Sequence, residues 1–134
     1  MSTKIFVNLP VKDLDKAKAF YTELGYSFNP QFTDENAACL VISDDIYAML
    51  LVEKFFQSFT KKSIASSDTT EAIIALSADS REDVDTLTEK AIAAGGQVVN
   101  EPMDEDFMYS RSFYDLDGHH WEIVYMDMSG APQS

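Results

Sequence analysis

Apolar and polar side chains alternate from the start of the chain. In KIFVNLPV, residues 4–11, Ile5, Val7, Leu9 and Val11 share one parity, and Phe6, Asn8 and Pro10 share the other. A period of two marks a strand with one face in a core. The period then changes: in LDKAKAFYTEL, residues 14–24, Leu14, Ala17, Phe20, Tyr21 and Leu24 recur at helical spacing. Asp13 is placed to cap that helix and Gly25 to end it. Three short β-rich runs follow, YSFNPQFT, AACLVIS and YAMLLVE, separated by turn-forming Asn, Pro and Asp. This part reads βαβββ. Residues 54–70, KFFQSFTKKSIASSDTT, lose the alternation and read as a short helix or loop running into a linker.

The same order then restarts. EAIIALS reads as a strand, and SREDVDTLTEKAIAAGG places Val84, Leu87, Ala91 and Ile92 at helical spacing, with Asp79 as the counterpart of the capping Asp13 and a stop at Gly95 and Gly96. QVVNEP reads as a strand, and FMYSRSFYDLDGHHWEIVYM as two strands joined by the turn DLDG. The second βαβββ run makes a divergent repeat with a period of about 65 residues. The predicted fold class is α+β: two βαβββ modules forming a curved mixed-sheet cleft. One domain over 1–134 is expected, with modules 1–57 and 70–128 and a linker of about 58–69.

Charge narrows the function. The chain carries 23 acidic and 10 basic residues, a formal net charge of -13, and would repel phosphate backbones and acidic membrane surfaces. Nucleic acid and membrane are therefore not expected partners. No run of about 18 apolar residues could cross a bilayer, and MSTKIFVNLP lacks the apolar core of a secretory signal, so a cytoplasmic protein is expected. The single cysteine, Cys39, sits in a strand-like run and reads as a buried small residue.

Two stretches, FVNLPVKDLDKAKAFYTELGY and FYDLDGHHWEIVYM, resemble the vicinal oxygen chelate superfamily of glyoxalase I, bleomycin- and fosfomycin-resistance proteins and extradiol dioxygenases. The resemblance covers nearly the whole chain. It implies two modules set side by side around a funnel-like cavity, often in a homodimer. Metal-dependent members hold a divalent ion such as Zn, Ni, Mn or Fe with up to four ligands on inward strand faces. Carried over residue by residue, those positions fall on Phe6, on or next to Leu50, on Glu71 within an uncertain register, and on Glu122. Phe6 and Leu50 cannot ligate, which leaves Glu71 and Glu122 as candidate ligands of an incomplete site. An inward carboxylate also suits general acid or base work, making Glu122 the candidate catalytic group.

Other residues belong to the candidate binding wall. Asn8 shares the parity of Phe6. Arg111 is the only Arg or Lys after Lys90 and suits an anion anchor, with a salt bridge to a carboxylate as the alternative. Tyr109 and Phe113 share its parity. His119 reads as a turn residue, while His120 shares the parity of Glu122 and can reach the cavity rim. Trp121, Ile123 and Tyr125 read as core, and PMDEDFMY reads as a mobile rim loop whose Met103, Phe107 and Met108 would cap an apolar ligand. The preferred expectation is a homodimer binding a small organic molecule without a complete metal centre. The alternatives are a divalent-metal lyase or isomerase of the lactoylglutathione lyase type, and a resistance protein that sequesters a drug.

Overall fold

The N-terminal alternation is strand β1 (Ile5–Val11) in a computed structural model that describes residues 2–127. Met128, where the second expected module ends, lies outside the described residues. The chain divides after Ser66 into two compact units. In the first, β1 leads through α1 (Leu14–Glu23) to β2 (Ser27–Asn29), a single 3-10 turn (Pro30–Phe32), β3 (Ala37–Val41), β4 (Ile46–Val52) and α2 (Glu53–Gln57).

The strands pair in the order β1-β4-β3-β2, with β1 parallel to β4 and the other pairs antiparallel. A parallel pair cannot be joined by a tight turn, and the crossover starts with α1. Asp13 begins that helix by accepting a hydrogen bond from the Lys16 backbone N–H at 3.1 Å. Its apolar face, Leu14, Ala17, Phe20 and Tyr21, is buried and packs on β3 and β4. The strand residues buried with it are Leu9, Val11, Ala38, Leu40, Ala48 and Leu50. Each Leu or Val among them contributes about 1.5–3 kcal/mol by leaving water. This face carries the larger part of the unit's core, and Ala37, Cys39 and Leu51 are buried on the other.

The second unit repeats the plan. Strand β5 (Ile73–Ser77) and α3 (Arg81–Ala93) lead to β6 (Gln97–Val98), β7 (Met103–Glu105), β8 (Met108–Tyr114) and β9 (His120–Met126). The order is β5-β9-β8-β6, again with the first and last strands parallel, and β7 also pairs with β8. Val84, Thr88 and Ala91 of α3 are buried and the helix packs on β8 and β9, where Phe113, Trp121 and Ile123 are buried.

Two local expectations change here. The cap of α3 is Ser80, whose hydroxyl accepts from the Asp83 N–H at 3.0 Å; Asp79 lies one residue too early. The supposed rim loop is partly strand, since β7 pairs with β8 through Met103 and Ser110. Pro102 has no N–H to give a ladder, so the outer strand is split into β6 and β7 around it. No helix among the described residues is long and apolar enough to cross a membrane.

Candidate functional site

Strand register decides which candidate residues share a surface. Across β1 and β4, Phe6 faces Tyr47, Asn8 faces Met49 and Pro10 faces Leu51. Side chains alternate, so these six stand on the face opposite α1. Phe6 is half exposed and its ring stacks on Tyr47 at 4.9 Å, with 11° between planes. On the same face α2 folds against β1 and β4 and bounds an open cavity of about 460 Å³ lined by Asn8, Leu51, Phe56, Phe59 and Thr60. Asn8 donates from Nδ2 to the Phe6 carbonyl at 3.2 Å, which holds its amide at the cavity wall. Cys39, opposite Met49, is buried, and burial pushes its thiol up.

In the second unit the corresponding face carries Glu122. Its neighbours across the ladder are Ala75 on β5 and Ser112 on β8. His120, two residues earlier, shares the face: its Nε2 lies 3.6 Å from Glu122 Oε2, and its ring meets Tyr114 edge-on at 5.6 Å. His120 is buried, while about a third of the Glu122 side chain is open to solvent. Among the described residues Nε2 has no hydrogen-bond partner. A buried polar atom left that way costs free energy.

Four expected site residues lie elsewhere. Leu50 faces Leu9 and is fully buried on the α1 side; its neighbour Met49 holds the outward position. Glu71 precedes β5 and binds His119 Nδ1 at 2.7 Å, so it is a turn partner and not a strand ligand beside Glu122. Tyr109 and Arg111 face Tyr125 and Ile123, which puts them on the α3 side, across the sheet from Glu122. There Arg111 pairs with Asp85 at 3.1 Å and Glu89 at 2.8 Å, and the Tyr109 hydroxyl donates to Asp85 at 2.6 Å. That bond holds the Asp85 carboxyl below its usual range and pushes the Tyr109 phenol up. Burial pulls the Arg111 guanidinium down, but its bonds to Glu89 and Asp85 more than offset this and leave it raised. The anion anchor is a strut between α3 and β8.

A divalent ion needs at least three well-placed donors. Among the described residues no three of His, Cys, Asp and Glu come together in that way. Ala75 and Ser112 flank Glu122, and Phe6, Asn8 and Met49 occupy the matching face of the first sheet. Among the described residues, neither unit by itself presents a donor set that fits a metal centre.

Sequence reading passed over Leu51, Phe56, Phe59 and Thr60. The available signal was three phenylalanines within five residues, 55–59, in a segment otherwise polar and free of alternation.

The family model described as bleomycin resistance protein-like N-terminal matches residues 3–43. A hypothetical protein from S. aureus is 35% identical, with 93% of this chain and 95% of that one covered and a TM-score of 0.78. A glyoxalase/bleomycin resistance protein/dioxygenase family enzyme from Burkholderia phytofirmans PsJN is 18% identical, over 93% of this chain and 99% of that one, with a TM-score of 0.76. The fosfomycin resistance protein FosX from Listeria monocytogenes, in a structure with Mn(II) and sulfate, is 22% identical over 96% and 94%, with a TM-score of 0.67. No curated protein sequence matches the chain.

Proposed function

We propose that the chain, which has the glyoxalase/bleomycin-resistance fold and whose residues 3–43 match a bleomycin resistance protein-like family model, binds a small organic molecule in the cavity between α2 and the β1–β4 pair. The cavity itself carries this reading. About 460 Å³ lies within the range of small-molecule sites, roughly 300–1,000 Å³, and such sites are apolar with a few placed polar groups. Here Leu51, Phe56 and Phe59 supply the apolar wall, and Asn8 and Thr60 supply hydrogen-bonding groups. A metal-dependent lyase or isomerase acting through Glu122 takes second place, because it requires donors that the described residues do not assemble.

The neutral dye N-phenyl-1-naphthylamine tests the cavity. It should bind saturably at one site per chain, read by fluorescence. Thr60 is exposed, so Thr60→Trp should plug the mouth without disturbing the core, weakening the dye at least about tenfold at an unchanged unfolding midpoint. Equal binding by this variant would remove the reading.

The protein is further proposed to work in the cytoplasm as a homodimer. Strand β1 is an edge of its sheet, with Ile5 and Phe6 about half exposed, and unpaired apolar edges favour association. Sedimentation equilibrium at micromolar concentration should give twice the 15.0 kDa chain mass; a monomer mass throughout would refute the dimer.

A further inference from the structure

We propose, resting on the cavity reading above, that the ligand is an amphipathic organic anion: a flat apolar body carrying a carboxylate, sulfonate or phosphate, whose charged end meets Lys61 and Lys62. Both lysines are exposed and directly follow the lining residue Thr60. Their position is set by a closed turn. The Gln57 side chain donates from Nε2 to the Thr60 carbonyl at 3.2 Å and to the Lys62 carbonyl at 2.7 Å. The Lys62 N–H donates to the Thr60 hydroxyl at 3.3 Å. The turn is thus tied back to α2, whose Phe56 forms the cavity wall, and Phe55 and Phe59 brace it with an edge-on contact at 5.0 Å.

The charge around this turn runs against the rest of the chain. Residues 54–67 hold Lys54, Lys61 and Lys62 and no Asp or Glu, in a chain of net charge -13. Lys4, in contrast, pairs with Asp45 at 3.1 Å. Among the described residues neither the Lys61 nor the Lys62 ammonium reaches a carboxylate. The field of the whole molecule repels anions, so a site for a neutral ligand gains nothing from two lysines on the turn that follows its lining residue Thr60. A site for an anion needs them, because only a local positive charge offsets that repulsion at the mouth.

The test compares two dyes of similar shape on the intact protein: anionic 8-anilinonaphthalene-1-sulfonate and neutral N-phenyl-1-naphthylamine. At low salt the sulfonate should bind at least as tightly as the neutral dye despite the acidic protein, and added sodium chloride should weaken it alone. The double variant Lys61→Gln/Lys62→Gln should weaken the sulfonate about fivefold and leave the neutral dye unchanged. Lys90→Gln, which removes one positive charge on α3, should affect neither dye. A sulfonate affinity unchanged in the double variant, or a drop equally large in Lys90→Gln, overturns the anion assignment while the cavity stands. If neither dye binds the wild-type chain, the cavity reading falls and takes this proposal with it.

Discussion

Asp115→Ala is expected to lower folding stability by about 3–5 kcal/mol, although the residue does not line the cavity. Asp115 is buried at the start of the turn between β8 and β9. Its Oδ1 accepts from the backbone N–H groups of Asp117 and His119, both at 2.9 Å, and its Oδ2 accepts from the Trp121 indole at 3.1 Å. Alanine removes both oxygens and with them these three bonds, and the His119 and Trp121 donors are buried. Each buried donor left without an acceptor costs about 1–3 kcal/mol. Asp115→Asn retains an oxygen for the turn but sets an NH2 group against the indole N–H, so its loss should be intermediate. Urea unfolding of both variants checks this; a loss below about 1 kcal/mol for Asp115→Ala would sink the argument. The turn also aligns His120 and Glu122 on β9, so stability and site geometry depend on the same carboxylate.

The order of elements was legible because each run has one dominant period and clear stops. Strand β1, helix α1 and the β8–β9 hairpin follow directly from Ile5, Val7 and Leu9, from Leu14, Ala17 and Phe20, and from the DLDG turn. The site was less legible because a one-residue error in register moves a side chain to the opposite face. Leu50 and Met49 differ by one such step, and only the pairing with β1 shows which stands beside Asn8. Arg111 and Tyr109 could have been placed from the turn alone. His120 pairs with Tyr114 across it, so Glu122 must pair with Ser112, and Arg111 falls on the other face. Glu71 was misjudged because its strand starts two residues later, at Ile73. The cavity was hidden for another reason: α2 is five residues long, too short to display a helical period, and its phenylalanines gain meaning only once it folds over β1 and β4.

Gly96→Ala is expected to cost about 3 kcal/mol, more than Gly25→Ala, although the two glycines both follow a helix stop in the two halves of the repeat. Both helices end in the same hydrogen-bonded pattern. The N–H groups of Gly25 and Tyr26 bond to the carbonyls of Thr22 and Tyr21, and those of Gly95 and Gly96 bond to the carbonyls of Ile92 and Ala91. Gly25 and Gly95 take the left-handed position, with φ of +103° and +113°, which any residue with a Cβ resists. At Gly25 nothing lies within 4 Å of an added Cβ, so alanine there meets only the backbone penalty, about 1–2 kcal/mol. At Gly96 an added Cβ would stand 2.8 Å from the Tyr114 carbonyl oxygen and 2.9 Å from that of Ala91. Both obstacles are main chain, so no side-chain rotation relieves them. The end of α3 must retreat from β8, loosening β6, whose Gln97 pairs with Tyr114. The second of the two consecutive glycines is therefore there for close approach and the first for its dihedral angle. Denaturant unfolding of the two variants should rank Gly96→Ala as the more damaging, with hydrogen exchange in the second unit accelerated first at β6 and the C-terminal turn of α3. A larger loss in Gly25→Ala would show that the left-handed backbone, and not contact with β8, dominates at these helix ends.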